Sequence, residues 1–155
     1  MAQTVTLLSK NAFFLGLAGL LPQAMCCAVA LSSQNYSTYV FVSGFAYAAL
    51  IFSFIGGVWW GQALATPTRY PWIFVAAVCP SLIAWAAAVL LFSDLKWWSF
   101  ATSAIAISLI VSPLVDLQIS KVMPQPKGWM GLRWTLSIGL GCLTFVMASL
   151  TLHAV

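Results

Sequence analysis

The sequence predicts an all-α polytopic membrane protein, a bundle of five transmembrane helices. Three observations carry that prediction. Charged side chains make up 5% of the chain, against about 25% in an ordinary soluble domain, too few to coat a water-facing surface. Hydrophobic residues make up 63%, and the mean hydropathy is +1.01. The apolar residues also fall in continuous runs, near 12–31, 38–64, 71–92, 97–118 and 131–152, each close to the roughly 20 residues a helix needs to cross a bilayer. Such runs lack the alternation of a barrel strand, and a helix satisfies its own backbone in lipid. Residues 1–155 are expected to form a single integral membrane domain.

The first run contains Ala28 and Ala30 in the spacing of a leader-peptidase site, but it is long for a leader and is interrupted by Pro22 and Gln23. It is read as a retained helix. The second run carries "SFIGGVWWGQAL", in which Ala49, Ser53, Gly57, Gly61 and Ala65 recur every four residues. Helices gain little hydrophobic energy by touching in lipid, so close backbone contact through small residues must hold them together. That stripe is therefore expected to be a helix-docking face, with Trp59 and Trp60 turned away from it. The third run contains Pro80 and the fourth Pro113. These two and Pro22 each remove a backbone donor and should kink their helices. Smaller rows of glycine, alanine and serine in the first, fourth and fifth runs extend the packing theme.

Basic residues set the expected orientation. Lys10, Arg69, Lys121, Lys127 and Arg133 fall on the amino-terminal side of a five-span chain, and Lys96 falls on the other with His153. The positive-inside rule then places the amino terminus in the cytoplasm and the carboxyl terminus in the periplasm. Trp72, Trp97, Trp98, Trp129 and Trp134 stand near run ends, where an indole keeps its ring in lipid and its N–H near water.

Little chemistry is available. Cys26, Cys27, Cys79 and Cys142 lie in apolar runs without C-x-x-C spacing, and the single histidine is His153. No metal-ligand set, acid pair, phosphate loop or nucleophile–base arrangement can be assembled, so no catalytic residue, metal or cofactor is expected. The scattered basic residues argue against nucleic acid. Of the two acids, Asp94 sits beside Lys96 in a loop, whereas Asp116 lies within the fourth run. A charge there tends to face the bundle interior. Asp116 is expected to pair with Arg133, with Gln62 joining them.

"FLGLAGLLP", "SFIGGVWWGQAL", "CPSLIAW" and "LVDLQ" follow one another along residues 13–150. Together they resemble the transmembrane protein sixty-nine-like family of small multi-pass membrane proteins, a domain of unknown function found in bacteria and mitochondria. The resemblance implies a compact inner-membrane protein and carries no activity with it. A bacterial inner membrane is expected ahead of the mitochondrial one.

Three functions follow. The first is a non-enzymatic accessory or assembly subunit that contacts other membrane subunits or a second copy of itself in the bilayer. The second is a small carrier or channel using Asp116 and Gln62. The third is a binder of a hydrophobic cofactor such as a quinone or lipid, held by Trp59, Trp60 and Trp85.

Overall fold

The computed structural model describes residues 10–32, 38–65 and 70–154, with side chains of residues 152–154 left aside. Arg69 and the side chain of His153, both used above for orientation, lie outside what is described. The chain folds into helices α1 (Lys10–Ala18), α2 (Leu21–Ser32), α3 (Thr38–Ala65), α4 (Trp72–Ser93), α5 (Trp98–Val111), α6 (Pro113–Val122) and α7 (Trp129–Ala154), with one 3-10 turn at Leu95–Trp97. Among the described residues, five spans are long and apolar enough to cross a membrane, since α1 with α2, and the 3-10 turn with α5 and α6, each make one. The outward faces carry Phe14, Leu50, Phe54, Trp85 and Phe92, an apolar coat suited to lipid and not to water.

Two proline positions break a helix outright where the sequence suggested only a kink. At the first, Gly19 and Leu20 form tight turns back to Gly16 and Leu17, and Pro22 starts the next helix in its first turn. Proline is well tolerated there because that N–H has no helical partner anyway. The Gly19 carbonyl, left over by the break, accepts from the Tyr47 hydroxyl on α3. Tyr47→Phe is expected to lower stability by about 1 kcal/mol, measurable as a reduced melting temperature in mild detergent with the helix content of the parent.

The second break is at Ser112. Pro113 opens α6 and leaves the Leu109 carbonyl, one turn earlier, without its usual donor. The Ser112 hydroxyl fills that place, donating to Leu109 O at 2.8 Å. Pro80, by contrast, sits inside an unbroken α4.

α3 and α7 are the long members, and the most extensive contacts join α5 to α7 and α3 to α4. The central core runs through Phe45, Ala48, Phe52, Ile55, Trp59 and Ala63 of α3 against Ile73, Ala77, Ile105 and Leu109. Backbone approach is closest at two glycines. A Cβ on Gly56 would collide with the Ala77 carbonyl oxygen and stand 3.2 Å from Pro80 Cγ, so α3 seats directly on α4. A Cβ on Gly141 would run into Ile110 and lie 3.0 Å from the Ala106 carbonyl, so α7 seats on α5 in the same way. Gly128 has φ 90, a left-handed turn that only glycine adopts without strain. It reverses the chain into α7.

The expected docking stripe is not a seam between helices among the described residues. Gly57, Gly61 and Ala65 face outward and Ala49 and Ser53 are half-buried. Among the described residues, nothing beyond the helix's own backbone lies within 4 Å of a Cβ placed on Gly57 or Gly61. The α3–α4 seam uses Gly56 instead. One residue is a rotation of about 100° on a helix, enough to exchange a buried face for an open one.

In the loop after α4, Lys96 pairs with Asp94 at 3.1 Å, both exposed. The hydrogen bond from the Lys96 side chain, aided by its backbone N–H, pulls the Asp94 carboxyl below its usual range. A pair this exposed adds little to stability.

Candidate functional site

The polar residues converge at the end of the bundle where α3 finishes and α7 begins. The break at Ser112 positions α6 so that Asp116, in its first turn, points into the protein, where it is 2% exposed. Arg133 reaches it from α7 with Nε at 2.9 Å and a terminal nitrogen at 2.7 Å, both donating to one carboxylate oxygen. The other carboxylate oxygen accepts from Trp59 Nε1 at 3.0 Å. The same terminal nitrogen of Arg133 donates to Ser112 Oγ at 3.4 Å, and that hydroxyl lies 3.2 Å from Ser137 Oγ. The serine that repairs the proline break thus also touches the arginine.

This arrangement satisfies a buried charge pair. Ions in a low-dielectric interior are costly unless paired and hydrogen-bonded, and the carboxylate here has donors on both oxygens. Three of the five spans are joined by it, since Trp59 sits on α3, Ser112 and Asp116 on the α5–α6 span, and Arg133 on α7.

Asp116 and Arg133 are therefore in direct contact, whereas Gln62 is not part of their cluster. Its amide nitrogen donates to Gln125 Oε1 at 3.3 Å, in the loop after α6. Gln62 lies three residues beyond Trp59, further toward the end of α3, and meets the loop before it can meet the carboxylate. Arg133 also changes standing as an orientation signal, because it is buried and neutralised while Lys121 and Lys127 remain exposed.

The three tryptophans expected to share a ligand are separated. Trp59 is 3% exposed and tied to Asp116; Trp60 is 43% exposed and packs edge-on to Phe74; Trp85 is 68% exposed on the outside of α4. One is thus buried inside the bundle and two are exposed, one against Phe74 and one on α4.

What the sequence did not suggest is a cleft of about 390 Å³ between α1, α3 and α7. The α7 wall is one helical face made of Trp129, Leu132, Arg133, Leu136, Ser137 and Leu140; Gly16 and Gly19 lie on the α1 side and Ile51, Val58 and Trp59 on the α3 side. The signal was present as the spacing i, i+3, i+4, i+7 that places residues on one helical face. It was hidden because Trp129 was read only as an interfacial anchor. The Trp129 indole N–H is buried without a hydrogen-bond partner among the described residues. Gln23 is a second residue of this kind: it is fully buried in α2, and neither its amide oxygen nor its nitrogen has a partner among the described residues. No group of three or more metal-ligating side chains occurs among the described residues.

Five apolar spans, three of them joined around an interior ion pair, define a polytopic α-helical membrane protein. Residues 8–149 match the family described as "Protein of unknown function (DUF3429)", and the chain belongs to it. It is similar to Transmembrane protein 69 of Xenopus tropicalis, with 30% identity over 132 residues, 83% of this chain and 50% of that protein. The chain spans about half the length of this curated relative. No solved structure matches it. The resemblance drawn from the four motifs thus holds, and the family it leads to has no established function.

Proposed function

We propose that this protein is a non-enzymatic membrane component that works by lateral contact, as an accessory or assembly subunit of a larger membrane complex. One observation carries the reading: the small-residue row that starts at half-buried Ser53 and continues through exposed Gly57, Gly61 and Ala65 has no described residue of another helix against its glycines. A smooth row of this kind lets a second helix approach to backbone contact, where dispersion and weak hydrogen bonds act. A bacterial inner membrane is the setting we assign to it. The carrier reading needs Asp116 free to exchange an ion, and its carboxylate is instead engaged by Arg133 and Trp59, which favours a structural pair.

A photo-crosslinking amino acid placed at Gly57 or Gly61 tests this in native membranes. A discrete protein adduct is expected from both positions and not from exposed Trp85 on α4. Adduct mass separates a second copy of the chain from a different subunit. Gly57→Leu combined with Gly61→Leu should abolish co-purification of the partner without lowering the melting temperature. Capture of lipid alone at both glycines would refute lateral docking.

A further inference from the structure

We infer that the end of the bundle where α3 finishes and α7 begins is a docking surface for anionic phospholipid headgroups, engaged through Lys10, Lys121 and Lys127. The inference is independent of lateral docking, which uses the glycine face of α3 within the bilayer.

The charges left over set the sign of the partner. The whole chain has two acidic side chains, Asp94 and Asp116. Asp94 pairs with Lys96 and Asp116 with Arg133. Lys10, Lys121 and Lys127 are exposed, and no carboxylate side chain remains to balance them. Lys121 donates to Gln118 Oε1 at 3.0 Å, but a neutral amide leaves the charge in place. The loop that carries Asp94 and Lys96, by contrast, is neutral.

The three lysines stand at one level. A Cβ on Gly16 would lie 3.3 Å from Leu136 and 3.4 Å from Leu132, and one on Gly139 would lie 3.1 Å from Leu20. The first span therefore runs alongside α7 in the same direction. Lys10 begins α1, about 9 Å before Gly16 at the helical rise, which brings it to where α7 begins. α6 reaches the same level from the other direction. Its Asp116 meets Arg133, and Lys121 lies about 7.5 Å further along α6, while Trp129 lies about 6 Å back along α7. Lys127 is in the connection between the two helices.

Depth identifies the partner as lipid. Tyr70 and Trp72, 41% and 38% exposed at the start of α4, mark this end with amphipathic rings that favour the headgroup layer. A lysine there lays its stem along apolar surface and carries its ammonium to the lipid phosphates. A zwitterionic head brings its own cation beside the phosphate. An anionic head does not, so three unbalanced ammonium groups favour the anionic class.

The test places the full chain in phosphatidylcholine nanodiscs with rising fractions of phosphatidylglycerol and follows thermal unfolding. A saturable rise in melting temperature is expected, and it should shrink in about 1 M salt, where the Debye length is about 3 Å. Changing Lys10, Lys121 and Lys127 together to Gln should raise the phosphatidylglycerol fraction at half-effect about fivefold or more. Arg69 lies outside the described residues and is kept in every variant, so part of the response persists. Arginine at the same three positions should preserve the response, and so should Lys96→Gln, because Lys96 is already paired. The single Lys→Gln variants give the same reading if the triple variant does not fold. Four results would each overturn the inference: no rise with phosphatidylglycerol, a rise untouched by the triple variant, an equal loss with Lys96→Gln, or the same rise from inorganic phosphate in neutral nanodiscs.

Discussion

Replacing Arg133 with alanine is expected to destabilise the protein by about 3–5 kcal/mol, because it strands the Asp116 carboxylate in the interior. The carboxylate is 2% exposed and loses two of its three side-chain donors in that variant. The informative comparison is with removal of both charges. Asp116→Leu combined with Arg133→Met abolishes the desolvation cost along with the attraction, and exchanging a buried pair for apolar residues is often neutral or stabilising. The double variant should therefore be more stable than Arg133→Ala, although Trp59 then loses its acceptor. Adding Trp59→Phe removes that orphaned donor and should recover a further 1–3 kcal/mol or so. Thermal or denaturant unfolding in detergent gives the ordering. A single variant as stable as the parent would mean that water reaches the pair.

The second large effect concerns neighbouring glycines. Gly56→Ala places a methyl group against the Ala77 carbonyl at the point where α3 rests on the Pro80 region of α4. Backbone cannot yield as a flexible side chain can, so the two helices must move apart, at a cost of about 1–3 kcal/mol. Gly57→Ala, one position on, meets nothing within 4 Å and removes the entropic penalty of a helical glycine, a gain of roughly 0.5–1 kcal/mol. Opposite signs at adjacent residues are expected in a melting-temperature comparison. Equal effects would mean that α3 is rotated from the orientation described.

These two sites also show how much could be read from the chain alone. Hydropathy gives the five spans because length and apolarity are properties of each run by itself. The rotation of a helix about its axis is another matter. α3 carries small residues on two faces, one with Gly57 and Gly61 and one with Ala48, Gly56 and Ala63, and a stripe rule cannot choose between them. The choice is made by Trp59, which shares the second face and finds Asp116 there. That partner lies 57 positions away, so no local pattern reports it. The Asp116–Arg133 contact was more accessible, since a lone acid and a lone base near the same end of adjacent spans have few other partners. Gln62 followed the same logic and failed, because an amide has less to gain from that cluster and the nearer Gln125 is enough. The two helix breaks were half legible: proline marks the place, but the donors from Tyr47 and Ser112 that make a full break tolerable come from tertiary placement and a rotamer.

The ion pair bears finally on how the chain enters the bilayer during synthesis. A lone aspartate or arginine within a nascent span is costly to insert, less so toward its end than at its centre, and α6 brings Asp116 and α7 Arg133, separated by a short connection from Met123 to Gly128. Entering together as a hairpin, the two segments neutralise each other before either meets the acyl chains. The last two spans are thereby made a single unit of membrane integration, whereas α4, with no charged side chain at all, can partition by itself.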